Sequence, residues 1–164
     1  MPALGFAPHD HGACINKAME AAEAHCAANR LQFTPARRRV LEILLKEHKA
    51  MGAYDILPHL AEDGMSAQPP VAYRALDFLV SNGLAHKIER LNAYVACAHP
   101  DAHRGGSHSP AFLICRECSA VEEAQADVDA TLVDTAARAA GFSIERMVIE
   151  AEGLCPQCNK VDAT

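Results

Sequence analysis

Two Cys-x-x-Cys pairs, Cys115/Cys118 and Cys155/Cys158, constrain this chain more than any other feature. Thiolates two residues apart can turn toward one metal ion from a tight knuckle. Two knuckles complete a tetrahedral sulfur shell of the kind Zn²⁺ accepts. The 36 residues between Cys118 and Cys155 exceed a zinc-ribbon spacing. A folded segment must lie between the pairs, and the four sulfurs are expected to act as a staple closing a C-terminal domain.

The chain's 164 residues allow one medium domain or two small ones. Half are hydrophobic, so a core is feasible, but a core split in two needs reinforcement. No apolar run approaches a membrane span, and the first 14 residues lack a basic region followed by an apolar one. The expectation is a cytoplasmic protein with no membrane partner. Thiols stay reduced there, so seven cysteines favour metal binding over disulfides.

The net charge of −6 argues against nucleic acid only until its distribution is read. Residues 30–90 carry nine Lys/Arg against seven Asp/Glu, whereas residues 91–164 carry five against eleven. DNA binding needs local positive charge, not a positive total. Arg37, Arg38 and Arg39 form the densest basic cluster, which taken alone also fits a solvated helix face.

The order of elements sharpens this. Residues 1–14, with Pro2, Gly5, Pro8 and Gly12, are expected to be a flexible tail. An Ala- and Glu-rich helix should follow from about Ile15 to Arg30. Thr34-Pro35 signals a helix start, with Val40, Leu41, Leu44 and Leu45 as its apolar stripe. A shorter helix is expected over Ala53–Glu62, kinked or tightened by Pro58, and another after Gln68-Pro69-Pro70, capped by Gly83. Two short strands, His86–Arg90 and Ala93–Cys97, come next. The last three of these helices and the hairpin follow the order of a winged helix-turn-helix, whose third helix enters the major groove. After a loop at 98–109, short strands at 111–115 and 120–124, a helix at 127–140 and a strand at 142–150 make a small α/β unit. Leu132, Val133 and Ala136 are expected to face its core, and its unprotected strand edges favour pairing with a second copy. The fold class is α+β: a winged-helix DNA-binding domain over 15–97, a hinge at 98–109 and an α/β dimerisation domain over 110–164.

Several stretches together match a known family. They are Leu31-Gln32-Phe33-Thr34-Pro35-x-Arg37, Ala53-Tyr54-Asp55, Tyr73-Arg74-Ala75-Leu76-Asp77-Phe78-Leu79, Gly83-Leu84-Ala85-His86-Lys87, Tyr94-Val95-x-Cys97 and both cysteine pairs. On these residues the chain resembles the ferric uptake regulator family, and within it the zinc uptake regulator branch. The resemblance implies a homodimeric, metal-dependent repressor of double-stranded palindromic A·T-rich operators. The family's Thr-Val before the Tyr-Arg of the recognition helix is Val71-Ala72 here, which removes a hydroxyl. The His-rich run that iron-sensing members carry before the first pair is also absent, which favours zinc over iron or manganese.

The resemblance further implies a regulatory zinc site on His86, Cys97, His108 and Glu123, beside the structural site on Cys115, Cys118, Cys155 and Cys158. Two imidazoles, a thiolate and a carboxylate suit zinc, and the thiolate disfavours Mg²⁺ or Ca²⁺. Two zinc ions per chain are therefore expected. Glu122, His99 and His103 are the alternative ligands. His86 and Cys97 belong to the DNA-binding half and His108 and Glu123 to the other, so a shared metal would fix the hinge.

For DNA, Tyr54 and Arg74 are the expected base contacts, since guanidinium suits guanine edges and a tyrosine ring suits thymine methyls. Arg37, Arg38, Arg39 and Tyr73 are the expected phosphate contacts, core packing being the alternative for Tyr73. Enzyme readings fare worse. A zinc deaminase needs His-x-Glu, which is missing, and Pro156 follows Cys155 instead of preceding it. A thiol redox enzyme would set one pair at a helix start after a strand, without a matching second pair.

Overall fold

The computed structural model describes residue 6 and residues 11–47, 49–98, 110–124 and 131–159. Four helices open the chain: α1 (His11–Ala28), α2 (Pro35–Lys46), α3 (Ala53–Glu62) and α4 (Pro69–Ser81). A hairpin follows, β1 (Ala85–Ile88) and β2 (Ala93–Ala96), then β3 (Ala111–Cys115), β4 (Val121–Ala124), α5 (Thr131–Ala139), β5 (Ile149–Gly153) and the single turn α6 (Pro156–Asn159). Helix α1 begins at His11, inside the stretch expected to be a tail.

Local chemistry sets the boundaries. Thr34 Oγ1 accepts from the Arg37 amide at 3.4 Å and Pro35 occupies the first helical position of α2. At α3, Asp55 reaches back to accept from the Gly52 amide at 2.8 Å. Pro58 does not interrupt that helix. Helix α4 ends at Gly83, whose φ of +68° is the left-handed conformation that glycine adopts without strain. The Leu84 amide then bonds the Leu79 carbonyl at 2.8 Å and the Gly83 amide that of Val80 at 3.1 Å. This cap aims the chain from α4 straight into the hairpin.

The hairpin is antiparallel, with Ala85 opposite Ala96, His86 opposite Val95 and Lys87 opposite Tyr94. Side chains alternate between its faces. Ala85 and Tyr94 join Val40, Leu44, Ile56, Leu76 and Leu79 in the helical core. Ile88 and Val95 lie on the other face and pack with Phe112, Ile114 and Val121 of the second sheet. The wing thus belongs to two cores at once. That second sheet has order β4-β3-β5, with β3 antiparallel to β4 and parallel to β5.

Two expectations fail in the C-terminal half. Leu132 is 84% exposed, Val133 is also exposed, and no residue of α5 is buried. The inner face of the sheet is already covered by the wing, so α5 is not needed there. A stripe at helical spacing reveals an apolar face, not what covers it. The last strand is Ile149–Gly153 instead of 142–150, and Phe142 is exposed. Gly141, at φ +64°, ends α5 as expected.

Candidate metal centres and nucleic-acid interface

The four sulfurs are brought together by strand register. β3 runs parallel to β5 with Cys115 opposite Gly153, and the Arg116 amide bonds the Gly153 carbonyl at 2.9 Å. The two strands therefore deliver their knuckles side by side. The first closes through Ser119 (φ +58°), whose amide bonds the Cys115 carbonyl at 3.0 Å. The second is the turn of α6, where the Asn159 amide bonds the Cys155 carbonyl at 2.9 Å. The long intervening segment is the excursion through β4 and α5 that a parallel pair demands.

All four sulfurs lie within 4.8 Å of one another, and Cys118 Sγ is 3.7 Å from Cys155 Sγ. Tetrahedral Zn–S bonds of about 2.3 Å place sulfurs roughly 3.8 Å apart, so the cluster fits that ion. The thiols are strongly divided. Amide donors, first that of Cys118 and then that of Cys155, bring Cys115 down to about 6. Hydrogen bonding with the Cys155 sulfur, then burial, pushes Cys158 up to about 12. Four sulfurs this close cannot all ionise without a cation to share.

A second cluster joins the wing to the sheet. Wing alternation points His86 away from the helices, and there its Nε2 lies 3.4 Å from Glu123 Oε2. Cys97 follows β2, its amide bonding the Leu84 carbonyl at 3.0 Å, which keeps it in the hairpin ladder. One donor atom from each of His86, Cys97 and Glu123 lies within 4.8 Å of the others. The three residues are 6%, 5% and 7% exposed. The His86 ring rests 5.2 Å from the Phe112 ring, and Glu123 also accepts from the Ala98 amide at 3.0 Å. One nitrogen, one sulfur and one carboxylate oxygen converging in a buried pocket suit a thiophilic divalent ion better than a hard one.

His108, and the alternatives His99 and His103, lie outside the described residues. The segment that carries them leaves after Ala98 and returns at Pro110, two residues before Phe112. Glu122 is not part of the cluster. It is paired with Leu113 on the opposite face of the sheet, where burial raises its carboxyl above the usual range. Adjacent strand residues point to opposite faces, which separates the two glutamates.

The DNA candidates divide in two. Tyr54 on α3 is 66% exposed, and Tyr73 and Arg74 on α4 are also exposed. Core packing is thus not the role of Tyr73. The three arginines of α2 are largely engaged within the chain. The Arg37 guanidinium stacks 3.8 Å over the Phe78 ring and donates to the Gln32 carbonyl. Arg38 pairs with Glu23 and Glu42. Arg39 pairs with Asp63 and Glu42 and is mostly withdrawn from solvent. Asp55, next to Tyr54, is committed to the start of α3, where its carboxylate accepts from the amide of the N-cap residue Gly52.

Sequence reading missed one group. Glu150 accepts from the Glu89 and Arg90 amides at 2.7 and 3.1 Å, and Glu152 Oε1 accepts from Arg90 Nη2 at 2.9 Å. Two glutamates at alternate positions share a strand face, but nothing in the sequence names the turn they meet.

Among the described residues, no helix is long and apolar enough to cross a membrane. The family model described as "Ferric uptake regulator family" matches residues 28–152. A zinc uptake regulation protein of Escherichia coli (strain K12) is 41% identical over 142 residues, covering 87% of this chain and 81% of that protein. A solved zinc uptake regulator complexed with zinc and DNA superposes with a TM-score of 0.84 at 39% identity, over 92% of this chain and 98% of that one. The holo form of the regulator XcZur gives 0.77 at 36% identity, over 88% and 99% of the two chains. Its apo form gives 0.50 at 37% identity, over 89% and 98%.

Proposed function

Because the chain belongs to the ferric uptake regulator family, we propose that it is a zinc-responsive transcriptional repressor, acting in the cytoplasm as a homodimer on palindromic, A·T-rich operators of zinc-homeostasis genes. The observation that carries this reading is the placement of His86, Cys97 and Glu123 across the junction between the wing and the C-terminal sheet. Metal in a closed four-sulfur site has no open position and no reason to leave. A junction site, by contrast, can report metal as a change in how the two halves sit.

The residues divide the work. Cys115, Cys118, Cys155 and Cys158 hold the structural zinc and staple β3 to the end of β5. His86, Cys97 and Glu123, with His108, hold the regulatory zinc. A zinc ion bound there would supply a cross-link between wing and sheet. His86 and Cys97 are rigid parts of the hairpin, which the cap at Gly83 ties to the end of α4. Fixing them fixes the recognition helix, and with it the exposed Tyr54, Tyr73 and Arg74. The closer superposition on the holo than on the apo form of XcZur supports a wing held against the sheet in the DNA-binding arrangement.

The energetics are feasible. Driving a two-state hinge from 1:99 to 99:1 takes about 5.5 kcal/mol of differential binding. Structural zinc sites in peptides bind with apparent free energies of about 10–16 kcal/mol. The deciding experiment titrates binding to a labelled operator against buffered free Zn²⁺, Fe²⁺ and Mn²⁺. Zinc acting at the lowest free concentration is the expected result. Iron or manganese acting first would make the chain a sensor of that metal, and binding indifferent to metal would overturn the reading.

A further inference from the structure

From the bonds between the wing turn and β5 we infer that Glu150, Glu152 and Arg90 form a metal-independent latch that sets how much zinc closes the hinge. The proposal rests on the reading of His86, Cys97 and Glu123 as the regulatory site. The wing lies across the three-stranded sheet and meets each strand differently. At the β4 edge it meets Glu123 through His86. Over central β3 the contact is apolar, Ile88 and Val95 on Phe112 and Ile114. At the β5 edge, Glu150 and Glu152 take the wing turn. Register explains why those two glutamates face the wing: they lie opposite Phe112 and Ile114 in the parallel pair and share their face.

The β5 end is built as a clasp. One carboxylate, Glu150, accepts from two consecutive backbone amides of the wing turn, which fixes the turn's orientation against the β5 edge. Beside it, Arg90 donates to Glu152 through two nitrogens. Charge-assisted and forked contacts of this kind specify geometry as well as adding attraction. The Arg90–Glu152 pair is half in solvent, so its contribution is modest. A modest bias is what a set-point needs. If only a fraction of metal-free molecules are closed, apparent zinc affinity falls in proportion to that fraction. These three are therefore positioning residues: they lie outside both candidate metal clusters, bond the wing turn to β5, and act through the population of the closed hinge.

Charge reversal tests this. Full-length R90E, E152R and the double variant R90E/E152R are compared by operator binding against buffered free Zn²⁺. Exchange of the Ala98 amide is followed in parallel in the metal-free chain. That amide donates to Glu123 across the junction, at the opposite edge of the sheet from the latch. Each single variant should raise the zinc midpoint about three- to tenfold, with operator affinity at saturating zinc unchanged. Each should also speed Ala98 exchange. The double variant should restore both to within about twofold, a rescue that simple loss of folding cannot mimic. Unchanged midpoints with unchanged exchange, or no rescue in the double variant, would overturn the latch. Failure of the underlying reading looks different: wild-type operator binding would then not respond to zinc at all, and the Ala98 readout alone would decide the latch.

Discussion

His86 Nε2 lies 3.4 Å from Glu123 Oε2, the imidazole on the DNA-binding wing and the carboxylate on the C-terminal sheet, both sealed from solvent. Buried polar groups of this kind are costly unless paired. Here the pairing spans the junction between the wing and the C-terminal sheet, so the chemistry of one site is tied to how the two halves sit.

Cys97→Ala should abolish zinc-dependent operator binding while leaving the fold and the dimer intact. Fluorescence anisotropy with labelled operator reads the first and light scattering the second. Normal operator binding by this variant would mean that the junction cluster is not the sensor.

Cys115→Ser should behave oppositely. Losing one of four sulfurs should cost several kcal/mol and lower Tm on the order of 10 °C, since each kcal/mol shifts Tm by about 2–4 °C at this size. Calorimetry with and without a chelator checks it. Chelation should flatten the difference between variant and wild type.

Glu122→Gln should stabilise the protein near neutral pH, raising Tm by about 2 °C. Burial raises the folded pKa of Glu122, although the Phe6 amide opposes this by bonding the charged form. A raised carboxyl favours the fold only while protonated. Its contribution is full below the unfolded pKa and lost as pH rises through the folded one. The gain from the substitution should accordingly shrink as pH falls toward the ordinary glutamate range. A variant less stable than wild type at neutral pH would contradict this.

Arg74→Ala should relax base discrimination by about 1–3 kcal/mol, whereas Arg39→Ala should leave specificity and the salt slope of binding nearly unchanged. The reason is the prior engagement of Arg39 with Asp63 and Glu42. Competition assays with substituted operators at several salt concentrations separate the two. A salt slope reduced by about one unit in Arg39→Ala would return it to the phosphate contacts.

Much of this was legible in the sequence where local chemistry decides. Thr34-Pro35, Gly83 and Gly141 act through the backbone conformation of their own neighbours, and each stands where its residue type predicts. The sulfur cluster was legible because metal ligands must converge whatever the fold. Alternation along strands separated Glu123 from Glu122. What the sequence hides is pairing at a distance. Nothing near Arg39 announces Asp63, and nothing near Arg90 announces Glu152. Likewise α5 carries an apolar stripe whose cover the sequence does not state. In each case the partner is chosen by tertiary geometry.

The two-faced wing carries a consequence for how this chain can vary. Ala85 and Tyr94 face the helices while His86, Ile88 and Val95 face the sheet. A one-residue slip in either strand would exchange the two sets, sending an imidazole among leucines and a tyrosine toward the metal cluster. An odd insertion within either strand would therefore have to be absorbed as a bulge to keep both faces in place. Parity, more than the identity of any single side chain, keeps the reading and sensing halves in step.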